Sequence, residues 1–333
     1  LINANVNNAL KSLIIDGIFK GVGSVVSFVP IIVTLFFFLS MLEDSGYMAR
    51  IAFIMDQPLR KLGLSGRSFV PMLIGFGCSV PAILASRTLT SERDKKLTIM
   101  LTPYMSCSAK LPVFTLITAA FFGVKSPLVM IGLYLFGIVV AILCALVSKI
   151  FVKGKPTPFM MELPTYRMPG LKTTLMLLWD KAKDFIKKAF TIIFIASIII
   201  WFLQSFNFKL YYVDDNTKSI LSSIAQFITP IFKPIGVERW EVTSSIITGL
   251  SAKESIVSTL NLLLNDVELT DIMTPLQAFS LLIFILLYMP CVATFATIRK
   301  ELNSTKLAII YMVLQTIVAY IFAIIIYQVG VLF

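Results

Sequence analysis

The sequence predicts an all-α, polytopic membrane protein of about eight membrane segments, built as two repeats that contain broken helices. Three observations predict it. Of 333 residues, 57% are hydrophobic and only 14% charged, against about a quarter charged in a soluble domain. Apolar stretches long enough to span a bilayer recur along the chain. Two glycine- and proline-interrupted stretches, 75–110 and 249–294, stand in the same order in the two halves.

Residues 1–20 are polar and mildly amphipathic, with no charged n-region before an apolar run, so no cleavable signal peptide is expected. The chain does not begin with methionine and reads as a fragment. Residues 21–150 form a first membrane half, 151–187 a basic connection and 188–333 a second membrane half. Uninterrupted spans are expected at 21–42, 126–148, 189–208, 272–298 and 307–333, with 68–86 at the threshold of length. Stretches 97–124 and 242–265 complete the count, although Lys110 interrupts the first and Lys253 and Glu254 the second. Stretch 219–232 is too short to cross and is expected at the interface.

The connection carries Lys153, Lys155, Arg167, Lys172, Lys181, Lys183, Lys187 and Lys188 against Glu162, Asp180 and Asp184, which places it in the cytoplasm. Eight crossings then put both termini there as well. They also leave an acidic loop, 266–271, inside and a basic one, 299–306, outside, so the parity conflicts with the charge.

The net charge of +11 is read as membrane orientation, not as nucleic-acid binding. With no histidine, a histidine zinc site, a Ser-His-Asp triad and a histidine proton relay are excluded. The one Gly-Lys pair, Gly154-Lys155, runs into Pro156, so there is no phosphate-binding loop. Four cysteines inside apolar segments are not a disulfide framework; they are buried thiols or ligands.

The first half reads Gly75-Phe76-Gly77-Cys78-Ser79-Val80-Pro81-Ala82, then Tyr104-Met105-Ser106-Cys107. The second reads Gly249-Leu250-Ser251-Ala252-Lys253-Glu254, then Tyr288-Met289-Pro290-Cys291. Pro71, Pro81, Pro103, Pro112 and Pro290 each remove an N–H and free a carbonyl, which at membrane depth must line a protected cavity or find a partner. One proline would be an ordinary kink; five around two repeated motifs point to discontinuous helices.

Cys78, after Gly75 and Gly77 and before Pro81, is expected on non-helical backbone facing a pore. Cys107 and Cys291 occupy matching repeat positions, with Met105, Met289 and Pro290 in the same motifs. Sulfur with carbonyl and hydroxyl oxygen suits a divalent transition ion in transit better than a locked site. Cys144, inside an uninterrupted span, reads as a small buried hydrophobe. Glu254 either binds the cation or pairs with Lys110, while Lys253, about 100° round the helix from Glu254, pairs elsewhere. Glu43 and Asp44, just after the first span, either gather cations at a mouth or are solvated helix-end acids. The run Arg87, Glu92, Arg93, Asp94, Lys95, Lys96 reads as a solvated turn.

These motifs, together with Leu42-Glu43-Asp44-Ser45-Gly46-Tyr47, Ser108-Ala109-Lys110-Leu111-Pro112 and Ala252-Lys253-Glu254, resemble the membrane region of the bacterial ferrous iron transport protein B (FeoB) family. The resemblance runs from about residue 21 to the C-terminus. It implies Fe(II) as transported substrate, a multi-pass protein of the bacterial inner membrane, two Gate repeats, no permanently bound cofactor, and a path through Cys78, Cys107 and Cys291. It also implies as partners the lipid bilayer, a GTP-binding domain on the same or a separate polypeptide, a small FeoA-like cytoplasmic protein and further copies of the chain. GTP and Mg belong to that domain, which this chain lacks, so the chain itself is not expected to be an enzyme. The family usually carries Asn where this chain has Ser79, and Gly-Ala-Arg where it has Ser108-Ala109-Lys110.

Two other readings use the same motifs. Gate repeats alone do not name a cargo, so a nucleoside or other solute carrier is the first. An intramembrane thiol redox protein using Cys107 and Cys291 is the second, disfavoured by the lack of Cys-x-x-Cys.

Overall fold

The computed structural model describes residues 20–151, 168, 170–207, 211, 219–264 and 269–332, and every regular element among them is a helix. The lead-in 1–19 and most of the basic connection, with Lys153, Lys155, Glu162 and Arg167, lie outside the described residues. The first half runs α1 (Lys20–Asp44), α2 (Tyr47–Lys61), α3 (Phe69–Gly75), α4 (Ser79–Ala85), α5 (Glu92–Leu101), α6 (Leu111–Phe122) and α7 (Ser126–Phe151). The second runs α8 (Leu171–Ser205), α9 (Ile220–Phe232), α10 (Trp240–Thr248), α11 (Ser255–Leu264), the single turn α12 (Leu269–Ile272), α13 (Pro275–Leu287), α14 (Val292–Leu302) and α15 (Thr305–Leu332).

With α12 set aside, the two lists correspond helix for helix. Both α2 and α9 are amphipathic, burying Met48, Ala52 and Leu59 in one case and Leu221, Ala225 and Thr229 in the other. Each leads into a glycine in the left-handed region, Gly63 at φ 84° and Gly236 at φ 85°. Short helices, α3 then α4 and α10 then α11, follow with a break between them, and a second break precedes α6 and α14. The long helices α7 and α15 close the two halves.

The outward faces of those long helices are apolar. Leu128 and Ile131 on α7 are 72% and 60% exposed, and Ile310, Val313, Ile317, Ile321 and Ile325 line one side of α15. Such a face has lipid for a solvent. Small residues point the other way: Ala319 and Ala323 of α15 are fully buried, which lets α13 approach closely, while Ala308 packs with Ile83, Ile99 and Ile298. Helix α13 is the centre of the molecule, buried without interruption from Ala278 to Tyr288 except at Phe279. Its Ser280 hydroxyl donates to the Ala323 carbonyl at 3.1 Å, and Gln315 of α15 donates to the Met100 carbonyl of α5 at 3.2 Å.

The halves are inverted with respect to one another. The Gly63 turn docks on the C-terminal end of α7, where Lys149 donates to the Lys61 carbonyl at 3.1 Å. The Gly236 turn docks likewise on the C-terminal end of α15, against the Tyr327 ring. Arg93, at the start of α5, donates to the Gly63 carbonyl at 2.9 Å, and nearby Arg87 and Lys95 both engage Glu301, just before α15 begins. Helix α15 therefore starts at the end of the bundle where α7 finishes, and the two run antiparallel.

Among the described residues three helical runs, Glu92–Ile150, Pro275–Leu302 and Thr305–Leu332, are long and apolar enough to cross a membrane; a fourth counts if Ile220–Ile235 and Trp240–Thr248, which meet at 100°, are one broken span. The first run itself holds α5, α6 and α7, so these runs do not number the membrane segments. Stretch 68–86 is two helices of 7 residues each, and 242–265 holds helices of 9 and 10 residues, so neither spans unbroken. The parity conflict disappears with them. Residues 299–306 lie beside Lys95 at the Lys149 end, and Asp271 lies at the other, sharing a cavity with Ala120 and Phe121 near the start of α7.

The Gly236 turn gives a direct test of this frame. A Cβ there would lie 2.5 Å from the Tyr327 ring, on backbone that L-residues rarely adopt, whereas one at Gly132 of α7 would meet nothing within 4 Å. Gly236→Ala is expected to cost about 1–3 kcal/mol and Gly132→Ala nothing. Thermal unfolding in detergent reads the difference, and equal midpoints would show that the turn is dispensable.

Candidate functional site

The first break forms because α3 runs out of side-chain room. A Cβ on Gly75 would sit 3.3 Å from Met105 and Thr102, and one on Gly77 would sit 2.6 Å from Leu35 of α1. The chain then extends through Cys78 (φ −154°, ψ 135°), which stands at the N-terminus of α4. Pro81 is the third residue of α4, where a missing N–H loses no helical bond. After α5 the chain extends again through Met105 and Cys107 (φ −77°, ψ 157°) before a turn that leads into α6. The Gly77 carbonyl accepts from the Ser108 backbone N–H at 3.2 Å and from its hydroxyl at 2.9 Å. Cys78 and Cys107 flank that bond and stand side by side.

The second half repeats the bond. The Leu250 carbonyl, at the break after α10, accepts from the Val292 N–H at 2.9 Å. Gly77 and Leu250 lie at the same interval from their left-handed glycines, so Ser251 is the counterpart of Cys78 and stands beside Cys291. Ser251 is buried and its hydroxyl donates to the Thr248 carbonyl at 2.8 Å. Cys291 is extended (φ −62°, ψ 159°), opens α14, and has its sulfur 3.2 Å from the Thr294 hydroxyl.

The two pairs share one electrostatic neighbourhood. Cys78 lies within Coulombic reach of both Cys107 and Cys291, and Lys110 and Lys253 lie within reach of Cys107 and Cys291. All three motif thiols are partly buried. Among the described residues no three Cys, Asp or Glu side chains are disposed to hold one ion together, so the sulfurs line a neighbourhood without closing a cage.

Lys110, Lys253 and Glu254 do not pair with one another: Lys110 and Glu254 form no ion pair. The Lys110 ammonium donates instead to the Leu286 carbonyl at 2.6 Å. The Lys253 ammonium donates to the Met289 carbonyl at 2.8 Å and sits 3.0 Å above the Tyr288 ring. These carbonyls are released where α13 ends, just before buried Pro290, and they need a donor from another segment. Glu254 is partly buried, and its carboxylate has no hydrogen-bond or ion-pair partner among the described residues.

Glu43 and Asp44 are not brought to the thiols. They end α1, about 13 Å along the helix from Leu35, which faces Gly77. Asp44 accepts from the Gly170 N–H at 3.0 Å, tying the end of α1 to the start of α8. Cys144 packs against the main core. The run 87–96 is not a free solvated turn: Arg87 and Lys95 share Glu301, whose side chain is 4% exposed, and Asp94 is fully buried beside Arg93. Sequence reasoning missed Ser251 and this charge cluster. The equal interval of Cys78 from Gly63 and of Ser251 from Gly236 carried the signal for Ser251.

The family described as Nucleoside recognition, Gate, matches residues 25–121 and 186–305, the two stretches that hold the breaks. Between them, residues 130–181 match the Ferrous iron transport protein B C terminus family. A Staphylococcus aureus (strain MSSA476) Fe(2+) transporter FeoB is 45% identical over 331 residues, covering 97% of this chain and 50% of the relative. The Escherichia coli (strain K12) Fe(2+) transporter FeoB is 36% identical over 353 residues, covering 88% and 46%. A Porphyromonas gingivalis Fe(2+) transport protein A/Fe(2+) transporter FeoB fusion protein is 36% identical, covering 98% and 45%. The chain thus spans about half the length of the curated relatives it matches. No solved structure matches it.

The adjacency of Cys78 and Cys107 is testable with phenylarsine oxide, which needs two neighbouring thiols. Wild-type protein is expected to bind it, Cys144→Ser to bind it equally, and Cys78→Ser or Cys107→Ser to lose it. Retention by Cys78→Ser would separate the pair.

Proposed function

Because this chain belongs to the Gate family and aligns with the membrane half of FeoB transporters, we propose that it is the permease part of a ferrous iron transporter of the bacterial inner membrane. The observation that carries the reading is the doubled break, in which one backbone hydrogen bond sets Cys78 beside Cys107 and its counterpart sets Ser251 beside Cys291. Fe(II) is a borderline acid that accepts thiol sulfur as well as oxygen, and a path that must release its cargo works best with partial ligation. Cys78, Cys107 and Cys291 line the path, and rocking of the inverted halves exposes it to either side.

The basic end of the bundle, with Lys61, Arg93, Lys95, Lys149, Arg299 and Lys300, faces the cytoplasm. The cavity of about 410 Å³ beside Asp271 then opens outward. In this orientation Asp44, bonded to the residue that opens α8, lies inside and Lys20 outside, opposite to the cytoplasmic N-terminal side that eight crossings would require. Eight embedded segments are retained by counting 68–86 and 242–265 as broken ones that need not cross.

A GTP-binding domain, on the same polypeptide or another, would act on the cytoplasmic end. The fused relative's name supports a FeoA-like partner there. Self-association through the exposed apolar faces is compatible with this arrangement. The chain itself performs ligand exchange, with no covalent chemistry.

Fe(II) flux into proteoliposomes, with and without an added GTP-binding domain, tests the function. Cys78→Ser is expected to lower flux at least ~10-fold, the scale on which metal sites respond to lost support. Competition by Mn(II) but not by nucleosides is the companion result. Full flux in that variant, or nucleoside competition, would remove the proposed metal path.

A further inference from the structure

Two ammonium groups occupy positions where a passing cation would seek ligands. Helix α13 stops at Leu287, the backbone is extended at Tyr288 and Cys291, and Pro290 supplies no N–H. The carbonyls of Leu286 and Met289 are therefore left without helical donors. Carbonyls released at an interrupted membrane helix are the oxygen ligands that transporters offer to cations. Here each is taken by a lysine, Leu286 by Lys110 from the first half and Met289 by Lys253 from the second.

Ordinary C-terminal capping does not account for the choice. Both lysines are 3% exposed, and neither has a carboxylate partner among the described residues. They also lie within Coulombic reach of one another, so each burial makes the other harder. An Asn or Gln donor would satisfy the same carbonyl without desolvating a charge. What a lysine adds is a positive charge held on a flexible tether.

We propose that Lys110 and Lys253 are tethered stand-ins for cargo: in the metal-free state they fill the Leu286 and Met289 carbonyls, and a divalent cation arriving from Cys107 and Cys291 takes those oxygens and expels the ammonium groups. The ammonium groups stay tethered to the chain and swing off these oxygens as the cation takes them. Glu254, beside Lys253 in sequence and without a partner in this state, is the carboxylate available to an expelled ammonium. The proposal rests on the reading of the breaks as a metal path.

Amine acylation of the whole chain in nanodiscs, followed peptide by peptide with Co(II) as the probe, tests it. Sulfur-to-cobalt charge-transfer absorption reports binding independently. Lys110 and Lys253 are expected to be protected without metal and to become reactive as that absorption rises. Protection that persists while Co(II) binds overturns the tethered-cation proposal and leaves the metal path standing. Failure of Co(II) to bind at all overturns the path, and the proposal with it. The variants Lys110→Met and Lys253→Met have nothing to expel and are expected to bind Co(II) about tenfold more tightly, as removal of a competing state requires. A lowered melting temperature with unchanged Co(II) affinity would mark them as helix caps and overturn the proposal.

Discussion

A backbone carbonyl inside a membrane must find a donor within the protein, because the lipid offers none. The whole centre of this molecule follows from that requirement. Interrupting a helix releases carbonyls, and each break here is answered by a specific group from another segment. Gly77 is answered by Ser108, Leu250 by Val292, Leu286 by Lys110 and Met289 by Lys253. The first two answers are backbone to backbone and draw two interruptions together in each half. The cysteines next to those bonds are neighbours for that reason, with no metal needed to gather them.

The remaining architecture holds these meeting points still. Helix α13 is buried along nearly its whole length, and the alanines of α15 let the two helices lie close. At one end, Glu301 gathers Arg87 and Lys95 and joins the α4–α5 connection to α14. Helices α4 and α14, each opening at a cysteine, are thus secured at their far ends by one charge cluster. The rigid frame and the bare breaks divide the labour: apolar packing supplies position, and interrupted backbone supplies polar groups.

Much of this was legible in advance, for identifiable reasons. Composition and span length announce a membrane protein, because bilayer thickness dictates both. Glycine and proline announce interruptions, and the Tyr-Met-x-Cys repeat marks the second break in each half. Hydropathy does not distinguish one crossing helix from two short ones end to end, so 68–86 and 242–265 read as single stretches although each is broken. Lys110 and Glu254 are both charged at membrane depth, but a sequence does not say that free carbonyls compete for the lysine. Ser251 has no side-chain type in common with Cys78, and their equivalence rests on equal distance from a left-handed glycine.

That equivalence has a consequence for directionality. On the proposed transport reading, two halves related by inversion and carrying the same groups would form a balanced seesaw, with neither orientation preferred by the ion. One pan here holds two sulfurs and the other a sulfur and a hydroxyl. For a soft or borderline ion the pans are unequal in weight, and exchanging a single atom type, sulfur for oxygen, is enough to tilt the beam.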